Sequence, residues 1–170
     1  MLFRMLLPSV ALLSLVGCRP HPAGGLDVNF DDKIHLVGAS IEPELAPPGT
    51  IVKMRWTWRC DAPVGPGWEL LTHVHDDLTD QTDNLDLNGP LRSGNDNPRS
   101  LAHWKAGETY VDEQTYQVPS YMRGSTLTVM VGAFNRLSNT GGRLPIVSGP
   151  NDGHNRAIAA TIHTGLGPAK

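Results

Sequence analysis

Two histidines and an aspartate stand within four consecutive residues, His73-Val74-His75-Asp76. Because residues two apart on a β-strand point to the same side of the sheet, both imidazoles could reach one divalent cation. Zinc takes three or four protein ligands, so the pair needs further donors, such as His103 or a carboxylate. The candidate metal ligands are therefore His73, His75, Asp76 and Asp86. The alternatives are a structural histidine bonded to backbone near the end of the sheet, and plain exposure.

Aspartates recur through the segment that follows, and calcium prefers several oxygen ligands from one loop. They are Asp76, Asp77, Asp80, Asp83 and Asp86. The stretch 84–89 places oxygen donors at alternate positions before a glycine, as an EF-hand loop does. Its twelfth position is Asn95, where a bidentate glutamate is wanted, and no flanking helices are predicted. The sequence leaves open a looser calcium-stabilised loop and a solvated acidic loop.

Aromatic side chains give a third candidate site, because Trp and Tyr exposed on a sandwich face stack on sugar rings. The candidates for ligand binding are Trp68, Trp104 and Tyr110. The alternative is that tryptophans fill the core, which strand alternation predicts for Trp56 and Trp58.

Motifs typical of enzymes are scarce in this chain. It has no G-x-S-x-G elbow, no H-E-x-x-H, no phosphate-binding glycine loop and no S-x-x-K. Cys60 lies beside Arg59, and a cationic neighbour can lower the pKa of a thiol, but no histidine partner is evident in sequence. We expect an inert thiol. A metal-dependent hydrolase using His73, His75 and nearby carboxylates is the alternative to a non-catalytic role.

The N-terminus resembles a bacterial lipoprotein signal peptide. An apolar run over residues 5–16 is too short to span a membrane. It continues into Leu15-Val16-Gly17-Cys18, which resembles a lipobox. The resemblance implies cleavage before Cys18 and attachment of lipid to its thiol. Cys60 is then the only other cysteine, so no intrachain disulfide is expected. Since the residue after the lipidated cysteine is Arg19 and not aspartate, we expect outer-membrane residence in a Gram-negative host.

Lipidation at that position divides the chain into four segments. We expect a signal peptide over 1–17, a lipidated cysteine with a flexible tether over 18–33, one domain over 34–164 and a C-terminal tail over 165–170. Pro, Gly and Asp suppress regular structure in the tether. The expected spacer histidines, exposed to solvent, are His21 and His35. The predicted location is the cell envelope, facing the periplasm or the exterior.

Beyond the tether, short alternating segments are separated by clusters of Gly, Pro, Asn and Asp. The predicted strands are 34–42, 50–59, 68–75, 109–118, 125–134, 144–147 and 156–164. The longest gap, over 76–103, has faint strand character. The pattern predicts an all-β protein, an antiparallel sandwich of seven or eight strands, Ig-like or jelly-roll-like, with no substantial helix beyond the signal peptide.

Short motifs across 34–162 resemble an uncharacterised β-sandwich domain that is found appended to bacterial glycosyltransferase-type membrane proteins and in secreted and surface proteins. The matching pieces are Leu45 to Thr50 with the following strand to Trp58, Leu71 to Asp76, Trp104 to Glu108, Asp112, Val118-Pro119, Val131 to Phe134, and Arg143 to Pro145. The chain departs from this pattern in the longer loop 77–86 and in Asn135, which replaces an aspartate. The resemblance implies a sandwich with an accessory or binding role, and it carries over no catalytic residue.

Composition narrows the functional classes. The chain of 170 residues contains 18 Gly and 14 Pro, which excludes a long-helix protein, and its 39% hydrophobic content excludes wholesale disorder. A net charge of -3 gives no reason to expect nucleic-acid binding. We expect a lipid-anchored, non-catalytic binding or structural module that contacts an envelope protein or a glycan, with no cofactor other than a possible calcium ion.

Overall fold

The computed structural model describes residues 25–85, 99–138 and 142–167. Within these ranges the chain forms nine strands and no helix. They are β1 (Val28–Phe30), β2 (Ile34–Glu42), β3 (Ile51–Cys60), β4 (Trp68–Asp76), β5 (Gln81–Asn84), β6 (Thr109–Gln117), β7 (Thr126–Asn135), β8 (Ile146–Ser148) and β9 (Ala157–His163). A search of the same residues finds no helix that is long and apolar enough to cross a bilayer. Cys18, with the rest of the predicted lipobox, and Asp86 lie outside the described residues.

The strands form two antiparallel sheets. Sheet A has five strands in the order β6-β3-β2-β1-β8, and sheet B has four in the order β5-β4-β7-β9. The prediction of an all-β fold with two antiparallel sheets is confirmed. Each of the seven predicted strands is present, with ends that agree to within two residues.

One hydrophobic core lies between the sheets, and strand alternation accounts for its composition. In β3, Val52, Met54, Trp56 and Trp58 are buried while the residues between them face outward. In β7, Leu127 and every second residue to Ala133 fill the opposite side of the same core. The core positions predicted for the two tryptophans are confirmed, since both side chains are 0% exposed.

The folded body begins earlier than the predicted boundary at residue 34. Strand β1 pairs with β2 and with β8, and its residues Val28 and Phe30 are 0% exposed. The expectation of a flexible tether over all of 18–33 was therefore wrong for the part from Val28 onward. A strand of three residues is too short to show alternation in sequence, and its position depends on two neighbours that lie later in the chain.

The gap over 76–103 also contains a strand that the sequence did not reveal. Strand β5 pairs with β4 along four residues, from His73 with Asn84 to Asp76 with Gln81. It reads Gln-Thr-Asp-Asn and has no apolar residue, so no hydrophobic pattern marks it. Near the end of the same gap, Leu101 belongs to the core at 1% exposure.

Candidate functional site

Strand alternation separates the predicted metal ligands of β4. His73 and His75 lie on the outer face of sheet B, whereas Asp76 is 0% exposed and turns to the other side. The described ranges contain no group of three or more His, Cys, Asp or Glu side chains close enough to hold a metal. A metal site that includes Asp86, and the hydrolase based on it, stay predictions.

Each histidine has polar neighbours of its own. His73 is 8% exposed, and its Nδ1 lies 2.9 Å from a guanidinium nitrogen of Arg156. That guanidinium is held by Asp152 through Nε at 2.6 Å. The ring of His75 is less buried; its Nδ1 lies 2.8 Å from Thr82 Oγ1, on the neighbouring strand, and its Nε2 lies 3.2 Å from an oxygen of Asp77. The two imidazoles therefore belong to two separate hydrogen-bonded groups.

Asp76 joins the β4–β5 hairpin to the turn before β7. Its carboxylate accepts hydrogen bonds from the backbone N–H groups of Arg123 and Gly124 at 2.6 and 3.1 Å, and from Leu78 N–H and Thr79 Oγ1 at 2.9 Å. Burial by itself would raise the pKa of Asp76, but these four donors lower it below its usual value. This aspartate is a structural anchor in the described fold.

A second aspartate of the predicted acidic loop binds tyrosines. Asp83 accepts a hydrogen bond from the hydroxyl of Tyr116 at 2.8 Å and another from Tyr121 at 2.7 Å. The bond to the carboxylate raises the pKa of Tyr121 to about 12, and burial raises that of Tyr116 still further. In this structure Asp83 connects β5 of sheet B to Tyr116 in β6 of sheet A and to Tyr121. The calcium loop stays a prediction.

Two of the three predicted ligand-binding aromatics, Trp104 and Tyr110, belong to a row of rings that leads out of the core. The ring centroids are 5.5 Å apart from Phe30 to Trp58, 6.3 Å from Trp58 to Trp104, and 4.4 Å from Trp104 to Tyr110. The last two rings are stacked at 2°, so each covers one face of the other, and Trp104 is only 8% exposed. Trp68 is half-buried and packs against the core. Sugar stacking by these rings stays a prediction.

The inner face of β6 is unusually polar. The side-chain amide of Gln114 donates to Thr72 Oγ1 in sheet B at 2.9 Å and to Asp112 at 2.5 Å. Its other amide atom, Oε1, is buried without a hydrogen-bond partner in the described structure, as are the indole nitrogens of Trp56 and Trp58. Burial raises the pKa of Asp112, although the charge of Arg99 and the bond from Gln114 act in the opposite direction.

The outer face of sheet A carries a groove of about 560 Å³ across three strands. Its outward side chains carry charged or hydroxyl groups: Ser40 and Glu42 from β2, Lys53 and Arg55 from β3, and Glu113 and Thr115 from β6. Cross-strand pairing explains this set, because Ser40 and Glu113 both lie opposite Arg55. Alternation places the polar residues of β3 on the outer face of the sheet, and only cross-strand pairing decides which residues lie beside them.

A network of four ionisable residues lies at one end of this face. His35 Nδ1 is 2.7 Å from an oxygen of Asp27, and its Nε2 is 3.2 Å from an oxygen of Asp61. Arg59 donates to both oxygens of Asp61, at 2.8 and 3.1 Å. The expectation that His35 is an exposed spacer residue was wrong, since it is 9% exposed. The network connects the segment before β1 to the middle strands of sheet A.

Cys60 has the environment expected of an inert thiol. It is free, buried at 0% exposure, and its Sγ lies 3.5 Å from the carbonyl oxygen of Ala62. Burial raises the pKa of the thiol above its ordinary value, and the nearby carboxylates of Asp61 and Glu108 raise it further. The thiolate is therefore disfavoured.

A scan against family models finds no match for this sequence, and a search of curated proteins finds no similar protein.

Proposed function

We propose that this chain is a lipid-anchored, non-catalytic binding module of the cell envelope that contacts a partner protein through the groove on the outer face of sheet A. The observation that carries the proposal is that groove, in which exposed charges of both signs surround hydroxyl groups. Such a surface complements a polar protein surface and selects its partner by charge.

The charges of the groove are open to a partner. Arg55 and Glu113 lie 3.7 Å apart, and their side chains are 57% and 69% exposed. An exposed ion pair contributes little to folding stability, so it can exchange for pairs across an interface. Lys53 lies between Glu42 and Thr115 in the next cross-strand row, so the groove offers two adjacent rows of polar contacts.

The anchor limits where this face can act. Val28, where β1 begins, is ten positions after Cys18. A chain of this length spans at most about 35 Å when fully extended. A domain anchored at Cys18 therefore meets partners close to the membrane surface. One acyl chain anchors weakly and two or three anchor stably, so the proposal needs the full lipid modification.

The test uses the complete chain, expressed with its leader in a bacterial host. Mass spectrometry of the membrane-extracted protein should show an N-terminus at Cys18 that bears lipid; an intact leader or an unmodified thiol would contradict the anchor.

Cross-linking in intact envelopes then tests the contact face. We expect the double variant Lys53→Glu, Arg55→Glu to lose at least about 90% of the cross-linked partner, because each lost contact multiplies the loss of affinity. The matched control is Thr161→Glu, an exposed change on the edge strand of sheet B. Equal cross-linking by both variants would remove the groove from the proposal.

A further inference from the structure

The four edge strands of the two sheets differ in how far they are covered. Strands β8 and β5 have only three and four residues. Strand β9 is longer, but other segments bond to it at both ends: Ile158 N–H donates to the carbonyl of Pro150, and His163 N–H donates to that of Glu44. Strand β6 has nine residues and pairs only with β3. It is therefore the long edge of the described fold.

The direction of the backbone groups in β6 follows from its two ends. Val118 N–H donates to the carbonyl of Thr50, and the carbonyl of Glu108 accepts from Cys60 N–H, both at 2.9 Å. Pairing between these points runs without a register shift. Because hydrogen bonds alternate along an antiparallel strand, the even-numbered residues bond to β3 and the odd-numbered residues point their N–H and C=O groups away from the sheet. The outward-pointing residues are Thr109, Val111, Glu113, Thr115 and Gln117.

Within the described ranges, no hydrogen bond blocks these outward groups. All five odd-numbered side chains are exposed, and no residue in the described ranges bonds to their outward backbone groups. The strand has neither Pro nor Lys and no bulge against β3, three devices that proteins use to block an edge. Its sequence, Thr-Tyr-Val-Asp-Glu-Gln-Thr-Tyr-Gln, is rich in residues that favour strands.

We propose that β6 is a strand-addition site, which binds an extended segment of a partner protein as a sixth strand of sheet A. The inference rests on the proposed function, because it names the kind of protein that the module would contact. Main-chain hydrogen bonds would supply the affinity, and alternate side chains would supply the specificity.

The charges of β6 define the partner segment. Its two charged residues, Asp112 and Glu113, are both acidic. A partner with Lys or Arg opposite Glu113 and an apolar residue opposite Val111, which is 46% exposed, would complement the edge. A second copy of this chain fits poorly, since a fully overlapped antiparallel pair places Glu113 opposite Glu113.

The experiment uses synthetic nine-residue peptides of alternating Val and Thr, with Lys at the central position in one and Glu in the other. The protein is the full chain with Cys18→Ser, which cannot receive lipid. Peptide binding is followed by backbone amide NMR of the residues from 25 onward. We expect shifts at the outward amides of β6 and tighter binding of the Lys peptide, up to about fivefold, the size of one cross-strand ion pair. Glu113→Lys should reverse this preference.

A proline variant tests whether binding needs the outward N–H groups of β6. Thr115→Pro removes an outward N–H without removing a bond to β3, and we expect at least tenfold weaker binding. Thr161→Pro is the matched control on edge strand β9. The N–H of His163, two residues later, donates to Glu44 and so points away from β7, and the N–H of Thr161 points to the same side. Circular dichroism and urea midpoints establish that both variants are folded. Absence of peptide binding, equal binding by Thr115→Pro and wild type, or a solution dimer through β6 would each overturn the inference.

The envelope cross-linking distinguishes the two proposals. If the groove variant loses the partner and Thr115→Pro keeps it, the binding function stands and strand addition fails. If the wild type cross-links to nothing while the peptides bind at β6, the proposed function fails and the strand-addition site stands.

Discussion

Asp76 and Asp112 are both carboxylates on the inner side of the sandwich, and their surroundings differ. Asp76 is fully buried and accepts four hydrogen bonds, which hold its pKa below the usual value. Asp112 is partly buried, and among the described residues its carboxylate accepts one side-chain hydrogen bond, from Gln114. Burial raises its pKa. The charge of Asp76 stabilises the fold, whereas the charge of Asp112 costs stability.

The difference indicates which part of the molecule is optimised for folding. Around Asp76, the backbone of two turns supplies donors to the carboxylate. Around Asp112, the buried Oε1 of Gln114 has no partner in the described residues. Groups that give up stability concentrate where proteins bind or react. Asp112 and Gln114 belong to β6, the same strand whose free edge we propose as the binding site.

The largest effect should follow a change at Asp76. Asp76→Asn replaces one acceptor oxygen with an amide that itself donates, leaving buried N–H groups unpaired. We expect the free energy of unfolding to fall by about 3 kcal/mol, as measured by urea denaturation. Asp77→Asn is the control, because that side chain is 75% exposed. Similar losses of unfolding free energy in the two variants would show that the hydrogen bonds to Asp76 do not stabilise the β4–β5 hairpin.

Asp83 is an intermediate case, since both of its oxygens accept from tyrosines. Tyr116→Phe removes a hydroxyl from a side chain that is 8% exposed, and we expect a loss of about 1.5 kcal/mol in urea unfolding. Tyr121→Phe is the matched control at the same carboxylate, with 50% exposure and an expected loss below about 0.5 kcal/mol. A larger loss at Tyr121 would reverse our ranking by burial.

At Asp112 the expected sign is opposite. Asp112→Asn keeps an oxygen that can accept from Gln114 and removes a poorly solvated charge. We expect the free energy of unfolding at neutral pH to rise by on the order of 1 kcal/mol. Urea denaturation of this variant and of Asp76→Asn under the same conditions provides the comparison. A loss of stability in Asp112→Asn would mean that the charge of Arg99 fully compensates the charge of Asp112.

The smallest expected effect is the dependence of stability on pH. The pKa of Asp76 is lowered on folding, so its contribution is present above the unfolded value of about 3.9 and is lost as pH falls through the folded value. The pKa of Asp112 is raised, so stability falls as pH rises from about 3.9 through its folded value. Urea midpoints between about pH 3 and pH 7 should show the gain of Asp112→Asn growing with pH. A gain that is constant with pH would contradict the raised pKa.

Local patterns were enough to predict most of the fold. Alternation in β3 identified the buried Trp56 and Trp58, and turn residues marked the ends of seven strands. Neither β1 nor β5 could be found this way, because three residues are too few for a pattern and Gln-Thr-Asp-Asn has no apolar side chain. Their strand state depends on pairing with neighbours.

The candidate sites were less predictable. The spacing of His73 and His75 correctly placed both on one face, but nothing local indicated that Arg156 would lie against His73 across 83 residues. Two of the four donors to Asp76 are local, and the other two come from residues 47 and 48 positions later in the chain. In the groove of sheet A, β6 lies next to β3 although β4 and β5 come between them in the sequence.

The sequence by itself determined the turns and, in strands with clear alternation such as β3, which side chains face inward and which face outward, because these depend on bonds between neighbouring residues. Tertiary structure decided which strands are edges, which charges meet across the sheets and which carboxylate finds enough donors. Those outcomes depend on the order of strands in each sheet and on burial, and both arise only when distant segments pack together.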